Sequence, residues 1–154
     1  MLLKIMDNVT LVIVGDGPYL TEMQETLRGT PCIFTGYLDG DELAGVYASC
    51  DLFVFPSTTD TFGNVVLEAQ ASGIPVVVTN AGGPRENVLP GETGIVVAAD
   101  SEIHLLEAVH ALLSDPNRLK RMGTAARQYM EGRSFEGAFD KLWEMYQAHQ
   151  SAPT

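Results

Sequence analysis

The chain has 154 residues, a length typical of a single domain. Its 9 Lys and Arg against 20 Asp and Glu give a formal net charge of −11, which disfavours nucleic acids and anionic membranes as partners because both are polyanions. Two cysteines are too few for a disulfide framework, and no apolar run approaches the ~18 residues of a membrane span. A cytoplasmic location is therefore predicted by default.

Short apolar runs alternate with helical stretches, which is typical of an α/β fold with a parallel sheet. Strands are predicted at residues 9–14, 32–34, 52–55, 76–78 and 94–97. The intervening helices are predicted at 18–28, from Asp39 or Asp41 to 49, and at 63–71. From Ser101 onward the pattern is helical, with helices predicted at 101–113, 116–130 and 135–149.

Glycine-rich and polar segments follow the first four predicted strands. They occupy residues 15–17, 35–37, 57–63 and 81–86. Ligands of open parallel sheets bind at the carboxyl ends of the strands. All four segments are therefore predicted to lie on one rim, which would be the binding site.

The segment PSTTDTFGNVVLEAQASGIPVV, residues 56–77, is the strongest functional candidate. The N-terminus of its helix near Gly63 favours an anion, because free N–H groups and the positive dipole end point outward there. Asp60 precedes this end, and Glu68 is expected to lie buried about 7–8 Å beyond Gly63 along the helix. The two carboxylates would suit a ligand with hydroxyls on both sides of a diphosphate. The alternative, which spacing alone favours, is an ordinary helix with Asp60 or Thr61 as N-cap and Glu68 as a solvated surface acid.

Two other glycine-containing turns are weaker candidates. In AGGPRE, residues 81–86, Arg85 is the only basic residue between Arg28 and Arg118, an interval that holds twelve acids, so it is the available cation for a phosphate. The alternative is a tight turn in which Arg85 pairs with a neighbouring acid. GDGP at 15–18 lacks the GxGxxG pattern and is more typical of a turn than of a dinucleotide site. No histidines have metal-ligand spacing, so no metal site is predicted.

A family resemblance joins these segments. The run LVIVGDGP, followed by IFTGYLDGDELAGVYASCDLFVFPSTTDTFGNVVLEAQASGIPVVVTNAGGPRENVLPGETGIVV, resembles the C-terminal, donor-binding domain of glycosyltransferase family 4 (glycosyl transferases group 1) over about residues 10–147. The resemblance implies one half of a GT-B fold: a Rossmann-like, three-layer parallel sheet with C-terminal helices, in one domain over residues 1–154. It also implies a retaining, metal-independent hexosyltransferase that uses a nucleoside-diphosphate sugar as donor and needs no cofactor.

The resemblance also implies roles for individual residues. The family's two-acid motif falls on Asp60 and Glu68, so Glu68 would hold the ribose hydroxyls and Asp60 the hexose hydroxyls, and the capping alternative becomes the minority interpretation. The sugar and the distal phosphate would meet backbone N–H groups, the base would lie against the second glycine turn, and the first glycine turn would border the pocket. The backbone N–H groups are those of Phe62, Gly63, Asn64 and Val65. The turn against the base comprises Thr35, Gly36, Tyr37 and Leu38, and the turn that borders the pocket carries Gly15 and Gly17.

Two departures from the family pattern matter. Asp60 replaces the commoner glutamate and is one methylene shorter, so the hexose or its pose is expected to differ. The family's first strand–helix unit, which carries an Arg and a Lys for the diphosphate, is expected to be missing or reduced to a remnant at residues 1–6, and the N-terminal acceptor domain is expected to be missing as well. We therefore expect the chain to be inactive alone and to form a homo-oligomer through the sheet edge left bare. The alternatives are a non-catalytic interaction or regulatory domain of the same fold, and a GT-B sugar-nucleotide epimerase.

Overall fold

A computed structural model describes residues 6–133, which fall into two compact units. The first unit ends at Ser49 and the second begins at Cys50. The helix predicted at 135–149 lies outside the described residues. The assignment of residues 1–154 to one domain stays a prediction.

The first unit contains two parallel strands and two helices: β1 (Leu11–Val14), α1 (Leu20–Thr26), β2 (Cys32–Gly36) and α2 (Gly40–Ser49). Strand β1 begins at Leu11 rather than at the predicted Val9. Leu11 lies opposite Cys32, and its N–H donates to the carbonyl of Pro31 at 2.9 Å. Because proline has no N–H, the ladder cannot continue beyond this point.

Both helices of the first unit begin at turns. The N–H of Leu20 donates to the carbonyl of Gly17 at 3.1 Å, which closes a turn and delays the start of α1 from the predicted residue 18. The carbonyl of Asp39 accepts from the N–H of Leu43 at 3.2 Å. Asp39, not Asp41, therefore occupies the position immediately before α2.

The second unit contains a three-stranded parallel sheet in the order β3–β4–β5. Its elements are β3 (Phe53–Phe55), α3 (Asn64–Ala71), β4 (Val76–Thr79), a short 3₁₀ helix (Pro84–Asn87), β5 (Gly94–Val97), α4 (Glu102–Leu113) and α5 (Pro116–Glu131). All four residues of the central strand β4 are buried. Together, the parallel strands and intervening helices of the two units confirm the predicted α/β class.

The last two described helices of the second unit each begin at a side-chain cap. Ser101 Oγ accepts from the N–H of His104 at 3.2 Å, and Asp115 Oδ1 accepts from the N–H of Arg118 at 2.9 Å. Each bond satisfies one of the N–H groups that the first helical turn leaves without an intrahelical acceptor. Neither these helices nor any other in the described part of the chain is long and apolar enough to cross a membrane.

The strand pair of the first unit carries exposed apolar side chains. Leu11, Val14 and Ile33 expose 38%, 39% and 53% of their surface. The register pairs Leu11 with Cys32 and Val12 with Ile33, so Leu11 and Ile33 lie on opposite faces of the strand pair and do not form one apolar patch. Self-association through this part of the chain stays a prediction.

Candidate functional site

The polar loop after β3 is anchored to the end of β4. Thr79 Oγ1 donates to the carbonyl of Ser57 at 2.6 Å. Ser57 Oγ in turn accepts from the N–H groups of Thr59, at 3.4 Å, and Asp60, at 3.2 Å. The start of the loop is therefore fixed by hydrogen bonds that leave little freedom to the residues before α3.

Asp60 organises the turn that leads into α3. Its Oδ1 accepts from the N–H of Phe62 at 2.9 Å and from the N–H of Gly63 at 2.5 Å. Gly63 has φ +80°, the left-handed conformation that glycine adopts without a Cβ penalty. The capping alternative is therefore wrong about the N-cap: Gly63 occupies that position, no side chain caps α3, and Asp60 Oδ1 instead closes a turn ahead of the helix.

The family resemblance names the N–H groups of four consecutive residues, Phe62 to Val65. Those of Phe62 and Gly63 already donate to Asp60 Oδ1, so they meet a carboxylate of the chain itself. Asn64 is the first residue of α3 and is exposed, and first-turn N–H groups have no acceptor within the helix. Val65 is half-buried in the same turn. An anion would be stabilised at the N-terminus of α3, which is the positive end of the helix dipole.

Glu68 is exposed, whereas it was expected to lie buried along the helix. The buried face of α3 is formed by Val66, Ala69 and Gln70. At about 100° per residue, Glu68 lies roughly 200° from Val66 and so points away from that face. Its exposure leaves both structural alternatives open, because a surface acid and a ligand-binding acid at a cleft are equally accessible.

The glycine turn at residues 81–86 packs directly against the turn at Asp60. The N–H of Gly83 donates to the carbonyl of Asp60 at 3.1 Å. A Cβ on Gly82 or Gly83 would collide with the carbonyl oxygens of Asp60 and Thr61 respectively. The two segments singled out by the sequence are thus brought into contact, with glycine required for the close approach.

Arg85 does not form the predicted alternative pair with an acid. Its Nη1 donates to the carbonyl of Asn80, just beyond β4, at 2.8 Å, and the side chain is exposed. Among the described residues the one ion pair joins Arg127 and Glu131. A guanidinium has five N–H donors, so one bond to a carbonyl leaves capacity for an anion.

In the first unit, the two glycine turns are joined to each other. The N–H of Gly15 donates to the carbonyl of Gly36 at 2.8 Å, and both glycines have positive φ, +115° and +71°. The N–H of Gly17 donates to Asp16 Oδ1 at 2.7 Å. Tyr37 is 75% exposed and Leu38 is half-buried.

A hollow of about 270 Å³ lies at the end of β1. Its lining includes Gly15, Gly17, Tyr19 and Met23, so it is formed by the first glycine turn and the start of α1. This is the place where the resemblance puts the border of the nucleotide pocket. The prediction that all four loops share one rim stays a prediction, as do the roles assigned to the individual residues.

Two buried amides of the second unit were not predicted from the sequence. Gln70 is fully buried and Asn87 is 8% exposed. The spacing of Val66, Ala69 and Gln70 does place Gln70 on the apolar face of α3, which is a signal that could have found it. Nothing in the sequence around Asn87 indicates that it is buried. Among the described residues, no three His, Cys, Asp or Glu side chains gather as a metal site.

Comparison with known proteins identifies the family. The family model "Glycosyl transferases group 1" matches residues 1–115. The chain is 41% identical over 143 residues to a GDP-mannose-dependent alpha-mannosyltransferase of Mycolicibacterium smegmatis. This alignment covers 92% of the present chain and 37% of the relative. The chain is 38% identical over 136 residues to the sulfoquinovosyl transferase SQD2 of Arabidopsis thaliana, which covers 86% of this chain and 26% of the relative.

Solved structures share the fold. Sucrose-phosphate synthase from Thermosynechococcus elongatus superposes with a TM-score of 0.77 at 26% identity, over 94% of this chain and 39% of that one. Anabaena HepE, solved in complex with UDP-glucose, superposes with a TM-score of 0.77 at 24% identity, over 93% of this chain and 42% of that one. The chain thus spans well under half the length of these proteins. It belongs to the glycosyl transferases group 1 family, and its fold is that of one half of a GT-B enzyme.

Proposed function

We propose that the chain is the nucleotide-sugar-binding part of a retaining, metal-independent glycosyltransferase that transfers a hexose to an acceptor. The family assignment and the 41% identity to a GDP-mannose-dependent mannosyltransferase support the transferase class and a sugar nucleotide as donor. The observation that carries the proposal is the fixed turn at Asp60–Gly63. It holds the N-terminus of α3 in place while Glu68 lies exposed further along the same helix.

The helix end would bind the diphosphate of the donor. A nucleoside diphosphate carries its negative charge on the phosphates, and a helix N-terminus stabilises an anion through its N–H groups and its dipole. Asn64 supplies the first helical N–H, and the exposed Arg85 supplies a positive charge in a stretch of chain that is otherwise acidic. As the bond to the sugar breaks, charge grows on the leaving diphosphate, so the same groups would stabilise the transition state.

The carboxylates of Asp60 and Glu68 would accept hydrogen bonds from the sugar hydroxyl groups of the donor. An ionised carboxylate is an acceptor with two oxygens and can take the paired hydroxyls of a ribose, which is the role proposed for Glu68. Asp60 uses Oδ1 to hold the turn, so its other oxygen would contact the hexose. Asp60 would then act twice, once as the residue that shapes the turn and once as a ligand contact.

The test is a titration of the chain with GDP, UDP and ADP by calorimetry and amide NMR. Binding of at least one of them in the millimolar range or tighter is expected, with the largest shifts at Gly63 and Asn64. Silence at millimolar nucleotide would reject donor binding and favour a non-catalytic domain of the same fold.

Glu68→Ala tests the ribose contact. It should weaken the binding of that nucleotide by about 1.5–3 kcal/mol, the range of charge-assisted hydrogen bonds. Glu107→Ala is the matched control, because Glu107 is also an exposed glutamate within a helix of the second unit and should leave affinity unchanged. An unaltered affinity in Glu68→Ala would reject the ribose role.

We further propose that the chain does not transfer sugar by itself, since it spans only 26–37% of the relatives compared above. Incubation with GDP-mannose or UDP-glucose and candidate acceptors should release no nucleoside diphosphate. Turnover of either donor would overturn this part of the proposal.

A further inference from the structure

Two buried amides form a chain of hydrogen bonds that ends at the turn before α3. Gln70 Nε2 donates to the carbonyl of Asn87 at 2.8 Å. Asn87 Nδ2 donates to the carbonyl of Phe62 at 2.5 Å. The chain therefore runs from inside α3, through the 3₁₀ helix, to the loop that precedes the same α3.

This arrangement fixes Phe62 from both sides. Its N–H donates to Asp60 Oδ1 at 2.9 Å, and its carbonyl accepts from Asn87. The peptide group before Phe62 thus has one partner, and the peptide group after it has two, because the N–H of Gly63 also donates to Asp60 Oδ1. These three bonds hold the backbone that leads into α3.

The buried amide of Gln70 lowers the free energy of unfolding. Gln70 Oε1 is buried and has no hydrogen-bond partner among the described residues. A buried polar atom without a partner costs about 1–3 kcal/mol, and an apolar side chain of similar shape would avoid that cost. Buried polar groups of this kind are informative because most of them are satisfied in folded proteins. Stability alone therefore does not account for an amide at position 70.

We propose that Asn87, supported by Gln70, is a positioning residue for the donor diphosphate. The inference rests on the proposed function, in which the N-terminus of α3 binds that diphosphate. Asn87 touches no ligand in this scheme. It holds the carbonyl of Phe62 so that Gly63 and Asn64 keep one orientation, and Gln70 holds the backbone of Asn87 from the interior.

Three variants test the proposal. Asn87→Leu removes the donor to Phe62 at nearly constant size. Gln70→Met removes the donor to Asn87 together with the unpartnered oxygen, so it is the second variant to measure where Asn87→Leu does not fold. Thr93→Val is the matched control, because Thr93 is fully buried in the same unit and its Oγ1 accepts from the N–H of Leu89 at 3.0 Å, away from the turn at 60–63.

Each variant is titrated with whichever of GDP, UDP and ADP binds the unmodified chain best, at a temperature where all variants are folded. Asn87→Leu should weaken binding about tenfold, corresponding to 1.4 kcal/mol, and Gln70→Met should weaken it by a smaller factor in the same direction. The amide shifts of Gly63 and Asn64 on titration should shrink with the affinity. Thr93→Val should lower thermal stability and leave both affinity and these shifts unchanged.

The outcomes separate the inference from the function it rests on. Failure of the unmodified chain to bind any of the three nucleotides rejects the proposed function and the inference with it. Normal binding by the unmodified chain and by Asn87→Leu or, where that variant does not fold, by Gln70→Met rejects the inference alone. If Thr93→Val weakens nucleotide binding as much as Asn87→Leu does, destabilisation alone accounts for the weaker binding and the inference is rejected.

Discussion

Gly63 is the position where one added methyl group should have the largest effect for its size. In Gly63→Ala, the new Cβ would stand 2.9 Å from Pro84 Cα and 3.0 Å from Pro84 Cβ, closer than carbon atoms pack. The alanine would also have to adopt φ +80°, which costs an L-residue about 1–2 kcal/mol. The crowding adds about 1–3 kcal/mol, as overpacking does in cores. The free energy of unfolding should therefore fall by about 2–5 kcal/mol.

Gly91→Ala separates the two contributions. Gly91 has φ +83°, almost the same as Gly63, but an ideal Cβ there meets no atom within 4 Å. This variant should lose only the conformational part, about 1–2 kcal/mol. The measurement is urea denaturation of both variants followed by far-UV circular dichroism, with ΔG obtained by linear extrapolation.

The difference between the two variants is the quantity that matters. Gly63→Ala should exceed Gly91→Ala by about 1–3 kcal/mol, the cost of contact with Pro84. Equal losses would refute the reasoning, because they would mean that the chain accommodates the methyl group without moving the 3₁₀ helix. An increase in stability for Gly63→Ala would contradict the packing of the two loops outright.

Three further predictions concern the second unit. Asp115→Ala should lower the free energy of unfolding by about 0.5–2 kcal/mol, since it removes the N-cap of α5, and unchanged denaturation would contradict the cap. Leu112→Ala, at a fully buried position, should cost about 2–5 kcal/mol in the same assay, and a loss under 1 kcal/mol would argue against its burial. Burial and, second, the charge of Asp51 raise the pKa of the Cys50 thiol. The stability contributed by the neutral Cys50 thiol is fully present below the pKa that the thiol has in the unfolded chain. This contribution is lost as the pH rises through the higher pKa that the thiol has in the folded chain. In a Cys32→Ser background, the alkylation rate of Cys50 should rise only above the ordinary thiol range, and Asp51→Asn should move this rise to lower pH.

Features set by local sequence could be predicted in advance. The run of β-branched residues at Val76–Val78 identified the buried central strand, and the helical pattern from Ser101 onward identified the last two described helices. Each of these signals acts within a few residues, because strand runs and helical periodicity depend on neighbours along the chain. Local sequence therefore sufficed for the fold class and for most of the described elements.

Contacts between distant segments could not be predicted in the same way. The bond from Asn87 to Phe62 joins residues 25 positions apart, and its existence depends on where the 3₁₀ helix lies after β4. The sequence names Gly82 and Gly83 as a turn but does not say that the turn must lie against Asp60. Likewise, Glu68 was expected to be buried, whereas the side chains that α3 buries are Val66, Ala69 and Gln70.

The interlocked loops have a consequence for protein engineering. Transplanting residues 56–64 from a relative would leave the graft facing a foreign segment at residues 82–87. The native pairing relies on glycines at two positions and on an amide at a third, so a single-segment swap would introduce clashes or broken bonds. Chimeras should therefore exchange residues 56–64 and 81–88 as a pair, and libraries should randomise them together.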